Sequence, residues 1–391
     1  MGKKVNSRFF LVLLLGVLSA FGPFVIDLYL PSLPNLAQFF NTHPSMSQLT
    51  LTAGMLGLAF GQLLFGPVSD KFGRRLPLLI SLGVFIVSTV LILFSPNIHS
   101  MIALRVVQGL ASSGSVVISR AIVADLYSGR EMTRFFGTLT TINGLAPIAS
   151  PILGSLMLKY TDWRGMFVFL AFIGVAVMLF TFRLRESLQP QQRVQTSLLS
   201  SFKFLFLILK NKKFVTYVLI SSFAFAGMFA YISGSPFIFQ QHYGLSSVAF
   251  GLCFAANGAA FIAGSSLGGR LSNGAAVKSG VLGMLLCAFY VAAVLVLKAN
   301  VWLIEVGFFL LLLSIGLMLP ALAALAMDAE RQYAGSASAM IGFMTFLFGA
   351  LVSPLVGIGD IFYATATVIF LSALLTLVCY FPIAKGLREI K

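Results

Sequence analysis

Long apolar runs separated by short polar or Gly/Pro punctuation dominate the chain. Twelve such runs, at 9–30, 49–69, 76–94, 99–123, 134–158, 165–182, 214–236, 247–269, 277–297, 301–326, 334–356 and 362–382, predict helices. About 20 apolar residues at about 1.5 Å rise cross a bilayer core, and the runs have that length. The pattern therefore predicts an all-α polytopic membrane protein with twelve transmembrane helices.

The longest polar interruption, 183–213, is rich in Arg, Lys, Gln and Ser and divides the runs six and six. It implies an N-terminal six-helix bundle over 1–182, a cytoplasmic linker over 183–213, and a C-terminal six-helix bundle over 214–391. An amphipathic surface helix is expected around Leu198–Leu209. Such a plan suggests duplication into two pseudo-symmetric bundles. A partial echo supports it: Gly269-Arg270-Leu271-Ser272-Asn273 follows the eighth run as Gly66-Pro67-Val68-Ser69-Asp70 follows the second.

Composition narrows the class. Of 391 residues 59% are hydrophobic and 9% charged, against about 25% charged in soluble domains. A net charge of +15 invites a nucleic-acid partner, but the basic residues sit in the gaps between runs and form no single stripe, so none is expected. With both termini cytoplasmic, all but four of the 26 Lys and Arg fall on the inner side, as the positive-inside rule requires. The exceptions are Lys159, Arg164 and Lys298 in outer loops and Arg105 within a span. Lys3, Lys4 and Arg8 before an apolar run resemble a signal peptide, but no small-residue cleavage site follows, so a retained first helix is expected. Cys253, Cys287 and Cys379 have no metal or disulfide spacing, and no Gly-x-x-x-x-Gly-Lys-Ser/Thr loop supports an ATP-driven pump. Neither metal nor cofactor is expected.

Ionisable residues inside spans are costly and point to function. Asp27 lies near the outer end of the first span, and Arg105 about 9 Å into the fourth by helical rise. Burial and a nearby cation act in opposite senses on a carboxyl's proton affinity, so small movements could load and unload Asp27. Two readings stay open for Asp27, proton coupling and a wet helix cap before Pro31. Arg105 either couples to Asp27, binds backbone carbonyls of the first span, or does both. His43, His99 and His242 fall in or beside outer loops, Glu305 and Asp360 read either as minor titrating sites or as solvated acids, and no acid lies near mid-span, which argues against a dicationic substrate. Phe21, Phe24, Tyr29, Gln108, Asn143, Phe229, Tyr231 and Asn257, with Phe223 and Phe225, are candidate cavity residues.

The loop Gly66-Pro67-Val68-Ser69-Asp70-Lys71-Phe72-Gly73-Arg74-Arg75, with Asp27-Leu28-Tyr29-Leu30-Pro31, Arg105-Val106-Val107-Gln108-Gly109, Gly144-Leu145-Ala146-Pro147 and Pro151-Ile152-Leu153-Gly154, carries a resemblance. The chain resembles the major facilitator superfamily, and within it the twelve-helix drug:proton antiporters of the bicyclomycin and chloramphenicol resistance subgroup. Ser235-Pro236-Phe237-Ile238-Phe239 and Ala334-Gly335-Ser336-Ala337-Ser338-Ala339 also look like that subgroup.

The resemblance implies a gating latch at Gly66, Asp70, Gly73, Arg74 and Arg75, with Arg120 and Asp125 in the same charge network and Asp70 near the start of the eleventh span. The competing reading is that Lys71, Arg74 and Arg75 only enforce topology. It implies an exporter motif at Gly144, Pro147, Pro151 and Gly154, where ordinary small-residue packing serves equally well. Some multidrug relatives carry a second acid in the first span where this chain has Ser19, which leaves one principal proton site.

The expected function is proton-coupled efflux of small amphiphilic compounds by a monomer in the lipid bilayer of the bacterial inner membrane. It is not an enzyme. The alternatives are export of an endogenous metabolite such as a siderophore, and a non-transporting receptor or scaffold on the same fold.

Overall fold

The computed structural model describes residues 6–127, 129–193, 205, 207–330 and 334–384. In chain order the helices are α1 Arg8–Asp27, α2 Leu33–Phe39, α3 Pro44–Phe72, α4 Arg75–Leu93, α5 Ile98–Leu126, α6 Gly129–Met157 and α7 Trp163–Phe182. They continue with α8 Lys212–Pro236, α9 Ser247–Gly268, α10 Asn273–Val296, α11 Val301–Ala329, α12 Ala334–Val352 and α13 Ile361–Tyr380. Among the described residues there is no strand. Each of the twelve apolar runs lies on a helix, and α2 is a short addition.

Local chemistry explains where the helices begin. Ser7, Asn97, Asp162, Asn211, Ser246, Ser272, Asn300 and Asp360 each accept a hydrogen bond from a backbone N–H of the following first turn. These caps lie in the polar punctuation, so most predicted boundaries fall within a few residues. The largest discrepancies are polar turns that hydropathy undercounts. The second run starts at Pro44, capped by His43, and includes Ser45, Ser47 and Gln48; the fifth reaches back to Gly129.

Ten described helices are individually long and apolar enough to span a membrane. Arg8–Gly22 and Phe24–Phe39 meet at 46° around Pro23 and together make an eleventh. The twelfth, α6, has 29 residues but a more polar sequence. Apolar side chains such as Phe172, Leu286, Phe289 and Trp302 are more than half exposed on the outer surface, which suits lipid contact. Of the expected surface helix around 198–209, only residues 205 and 207–209 are described, and 205, 207 and 208 are helical.

The packing repeats between halves. In the first, α3 lies on α5, α4 on α5 and α7, and α1 on α5 and α6; in the second, α9 lies on α11, α10 on α11 and α13, and α8 on α11, α12 and α13. The second and fourth spans meet through glycine, where a side chain at Gly109 would collide with the backbone of Gly54. The eighth and tenth meet the same way, Gly264 and Gly268 lying on the carbonyls of Leu313 and Leu317. Between the halves, α12 packs on α3 and α9 on α6.

Two ends of the bundle can be told apart. The linker face carries residues 183–193, residue 6 and residue 384; the far face carries the turns around 28–43, 94–97, 158–162, 237–246, 297–300 and 353–360. At the far face hydrogen bonds cross between halves. Gln48 Nε2 donates to the Ser233 carbonyl (3.0 Å), Thr52 Oγ1 to Ala350 (3.1 Å) and Gln240 Nε2 to Pro31 (3.1 Å).

Candidate functional site: a cavity between the halves and its flanking networks

A cavity of about 290 Å³ lies where α1 faces the second half. Ile26 and Asp27 come from the first half; the opposite wall includes Phe225, Phe229, Tyr231, Phe254, Asn257 and Phe346. Aromatic residues thus form most of the wall around a few polar groups, the usual make-up of a small-molecule site. Asp27 is 6% exposed and, among the described residues, has no ion-pair partner.

Arg105 does not pair with Asp27. Fully buried, it donates from Nε to the Thr50 carbonyl (3.2 Å), from Nη2 to the Val25 carbonyl (3.1 Å) and from Nη1 to Gln108 Oε1 (2.5 Å). Its guanidinium also lies 4.5 Å from the Tyr29 ring centroid and 5.8 Å from that of Phe167. Gln108 Nε2 in turn donates to Thr89 Oγ1 (2.7 Å), and the Tyr29 and Thr50 hydroxyls are 3.1 Å apart. The backbone-binding reading of Arg105 describes this geometry. By holding Val25, two residues before Asp27, it fixes the segment that presents the carboxylate.

The candidate cavity residues therefore separate. Phe225, Phe229, Tyr231 and Asn257 line the cavity with Asp27. Tyr29 and Gln108 instead hold Arg105, because each is drawn to the buried cation. Phe21 and Phe24 face a separate apolar crevice of about 550 Å³ among α1, α6 and α7, and Phe223 packs edge-on against Phe348. The Asn143 side chain lies outside the described residues.

Glu305 corrects the expectation of a solvated acid. It is half-buried, and its Oε2 accepts a hydrogen bond from Asn257 Nδ2 (3.1 Å). The same Nδ2 donates to Tyr231 Oη (2.9 Å). Asp360 is not simply solvated either. It caps α13 and pairs with Lys298 Nζ at 2.8 Å.

At the linker face, Arg74 is the centre of a compact charge network. Its guanidinium grips Asp125 with Nε and Nη2 (2.9 and 3.1 Å) and donates from Nη1 to Asp70 Oδ1 (2.5 Å) and Ser69 Oγ (2.8 Å). Burial works against its charge, but the hydrogen bonds to Asp125 and Asp70 outweigh it and hold the guanidinium above its ordinary value. Gly73 turns the chain at φ +92°, a conformation that favours glycine.

Two residues absent from the sequence-based list complete the network. Glu186 accepts from the backbone N–H groups of Arg74 (2.8 Å), Arg75 (3.1 Å) and Leu188 (3.1 Å), and Ser187 Oγ donates to Asp125 (2.7 Å). An acid just after the sixth span, opposite three basic residues, was the available signal. Arg75 Nη2 bonds the Phe182 carbonyl (2.6 Å), which also ties this loop to α7.

Arg120 has no ion-pair partner among the described residues. It lines a cleft of about 380 Å³ with Gly66, Asp70, Arg74, Leu205, Ser338 and Ala339. Asp70 and the early part of α12 therefore share one cleft. Arg130 and Arg134 have side chains outside the described residues.

In α6, a side chain at Gly154 would strike the Leu28 carbonyl, and Gly251 of α9 packs close to Ser155 and the Pro151 carbonyl. Pro151 and Gly154 thus lie at contacts of α6 with α9 and α1. The side chains at Gly144 and Pro147 fall outside the described residues.

The model of the Major Facilitator Superfamily matches residues 12–354. The chain belongs to that superfamily. It is 38% identical over 391 residues to an uncharacterized MFS-type transporter of Bacillus subtilis, covering 97% of this chain and 96% of the relative. It is 32% identical to a bicyclomycin resistance protein homolog of Haemophilus influenzae, covering 90% and 89%. Multidrug resistance protein D of Escherichia coli is 25% identical, covering 99% and 98%. These relatives bear out the resemblance carried by the motifs. An inward-facing bacterial homolog of the human lysosomal transporter Spinster shares the fold, with a TM-score of 0.75 at 13% identity, covering 98% of each chain. The protein is a multi-pass membrane transporter of the major facilitator fold.

Proposed function

We propose that the protein exports small amphiphilic compounds across the bacterial inner membrane in exchange for protons. The linker face is cytoplasmic in this reading, both termini lie there, and residues 1–182 and 214–391 act as two rocking units joined by 183–213. The observation that carries it is Asp27. This carboxylate, without an ion pair among the described residues, lies on the first half and shares an aromatic cavity with the wall of the second. Substrate enters from the cytoplasmic side as Asp27 gives up its proton, and reprotonation from outside favours release. One charge moving through 100 mV supplies about 2.3 kcal/mol. Crossed hydrogen bonds at the far face support a state closed to the outside, and relatives named for drug resistance support the cargo class. A monomer suffices, because the cavity is complete within one chain.

The test is reconstitution in vesicles under an imposed pH gradient, following a fluorescent drug and lumenal pH together. Gradient-driven drug movement in the wild type, lost in Asp27→Asn with the protein still folded, is the expected result. Drug movement without any pH response overturns proton coupling. A folded protein that moves no drug favours a specific metabolite as cargo, and an Asp27→Asn chain that keeps the wild-type cellular phenotype favours a receptor or scaffold.

A further inference from the structure

The polar cluster on the second-half wall has more acceptors than donors. Asn257 is 1% exposed and uses Nδ2 on both Tyr231 Oη and Glu305 Oε2, which leaves its Oδ1 without a partner. Glu305 Oε1 is buried and also has none. Buried polar atoms are nearly always paired, so two acceptors left empty among the described residues in one hydrogen-bonded cluster call for a donor.

Among the described residues the surroundings supply no cation. From α8 the cluster meets Tyr231, and from α9 Asn257 and Cys253. On α10, Tyr290 gives its hydroxyl to the Leu303 carbonyl (3.3 Å). The helix α12 has no titratable side chain. Lys298, in the turn before α11, is held by Asp360 at 2.8 Å. Among the described residues Glu305 has no ion pair.

We propose that Glu305 is a second proton-binding site, in the opposite half from Asp27 and joined to the cavity wall through Asn257. One proton bound at Oε1 neutralises the carboxylate and gives the cluster the donor it lacks. Asn257 lines the cavity while holding Glu305, so cargo that pulls on its amide changes the hold on the proton site behind it. The two carboxylates lie on different rocking units, and a cycle that uses both carries up to two protons. That role in transport rests on the proton-coupled reading above; the titration itself does not.

The experiment is infrared difference spectroscopy of the full chain in lipid through a pH jump, without any substrate, reading the C=O band of protonated carboxyl groups. Wild type is expected to show two removable contributions, one lost in Asp27→Asn and the other in Glu305→Gln. Each variant removes its own contribution and leaves the other. Glu305→Asp keeps the second contribution, and Asn257→Leu moves its midpoint. A Glu305→Gln spectrum that matches wild type at every pH overturns the proposal. Should that variant not fold, an Asn257→Leu spectrum identical to wild type overturns it equally. Two contributions in a protein that moves no proton-driven cargo leave this site standing and remove the antiport reading alone.

Discussion

Arg105 in the first half and Glu305 in the second are both ionisable side chains set into spanning helices, yet their surroundings differ. Arg105 is fully buried and meets two main-chain carbonyls, an amide oxygen and two aromatic rings. Glu305 is half-buried, meets one amide and keeps an oxygen unpaired. A charge whose bonds are all made behaves as structure, because any change in it orphans its partners. A charge with bonds unmade can gain a proton or a ligand without that penalty. The first half therefore has a rigid anchor behind its carboxylate at Asp27, and the second half has a carboxylate with no comparable anchor.

The largest expected effect follows from the anchor. Arg105→Ala removes the charged donor from the Val25 and Thr50 carbonyls and from Gln108, and each acceptor left short costs about 1–3 kcal/mol. Summed, that is a large part of the about 5–15 kcal/mol that holds a typical domain folded. The expected outcome is a steep fall in folded protein recovered from membranes and in melting temperature. Arg105→Lys should rescue little, because one ammonium cannot reproduce the guanidinium fork. Wild-type melting of Arg105→Ala would remove the contrast between the halves.

A smaller effect is expected from Tyr231→Phe. The ring keeps its contacts with Phe254 and Phe308, at centroid distances of 5.6 and 4.8 Å, and only the hydroxyl that accepts from Asn257 is lost. The net cost of one neutral hydrogen bond is about 0.5–1.5 kcal/mol. Melting temperature should fall far less than in Arg105→Ala. An equal fall would mean that the second-half cluster is as structural as the first.

How much of this could be read in the chain depends on what each signal measures. Hydropathy reports transfer into lipid, so it found α4, α7 and α13 directly but began the second span five residues late, where Ser45, Ser47 and Gln48 form a polar turn. Spacing placed Asp27 and Arg105 in spans. It could not choose between a salt bridge and backbone carbonyls as partners for Arg105, since that depends on rotamers and helix crossing. Tyr29 and Gln108 looked like cavity residues because polar and aromatic groups in spans suit both a ligand and a buried cation. Glu305 looked solvated from its position near a helix end, yet the helix face it occupies turns it toward Asn257. Glu186 went unmarked because charge pattern, the one signal it carried, suggests a side-chain partner, whereas its partners are backbone N–H groups that no spacing reports.

The smallest expected effect lies at the far face of the second half, where Lys298 and Asp360 form a half-exposed pair. The hydrogen bond from Lys298 holds the Asp360 carboxyl below its ordinary value, and the same bond holds the Lys298 ammonium above its own. A depressed carboxyl pKa stabilises the fold above the unfolded value and loses that contribution as pH falls through the folded one. A raised ammonium pKa stabilises below the unfolded value and loses it as pH rises through the folded one. The pair should therefore add a constant increment between about pH 4 and about pH 10 and fade outside that window. Asp360→Asn removes the pair but keeps a side-chain oxygen to cap α13, as Asn caps about as well as Asp. Its melting temperature should lie slightly below wild type at neutral pH, converge with it in acid, and approach it in high salt, where an exposed pair is screened. A deficit that persists in acid would assign Asp360 to capping alone. The ion pair would then add nothing measurable to the far face of the second half, where the crossing bonds of Gln48, Thr52 and Gln240 are neutral hydrogen bonds.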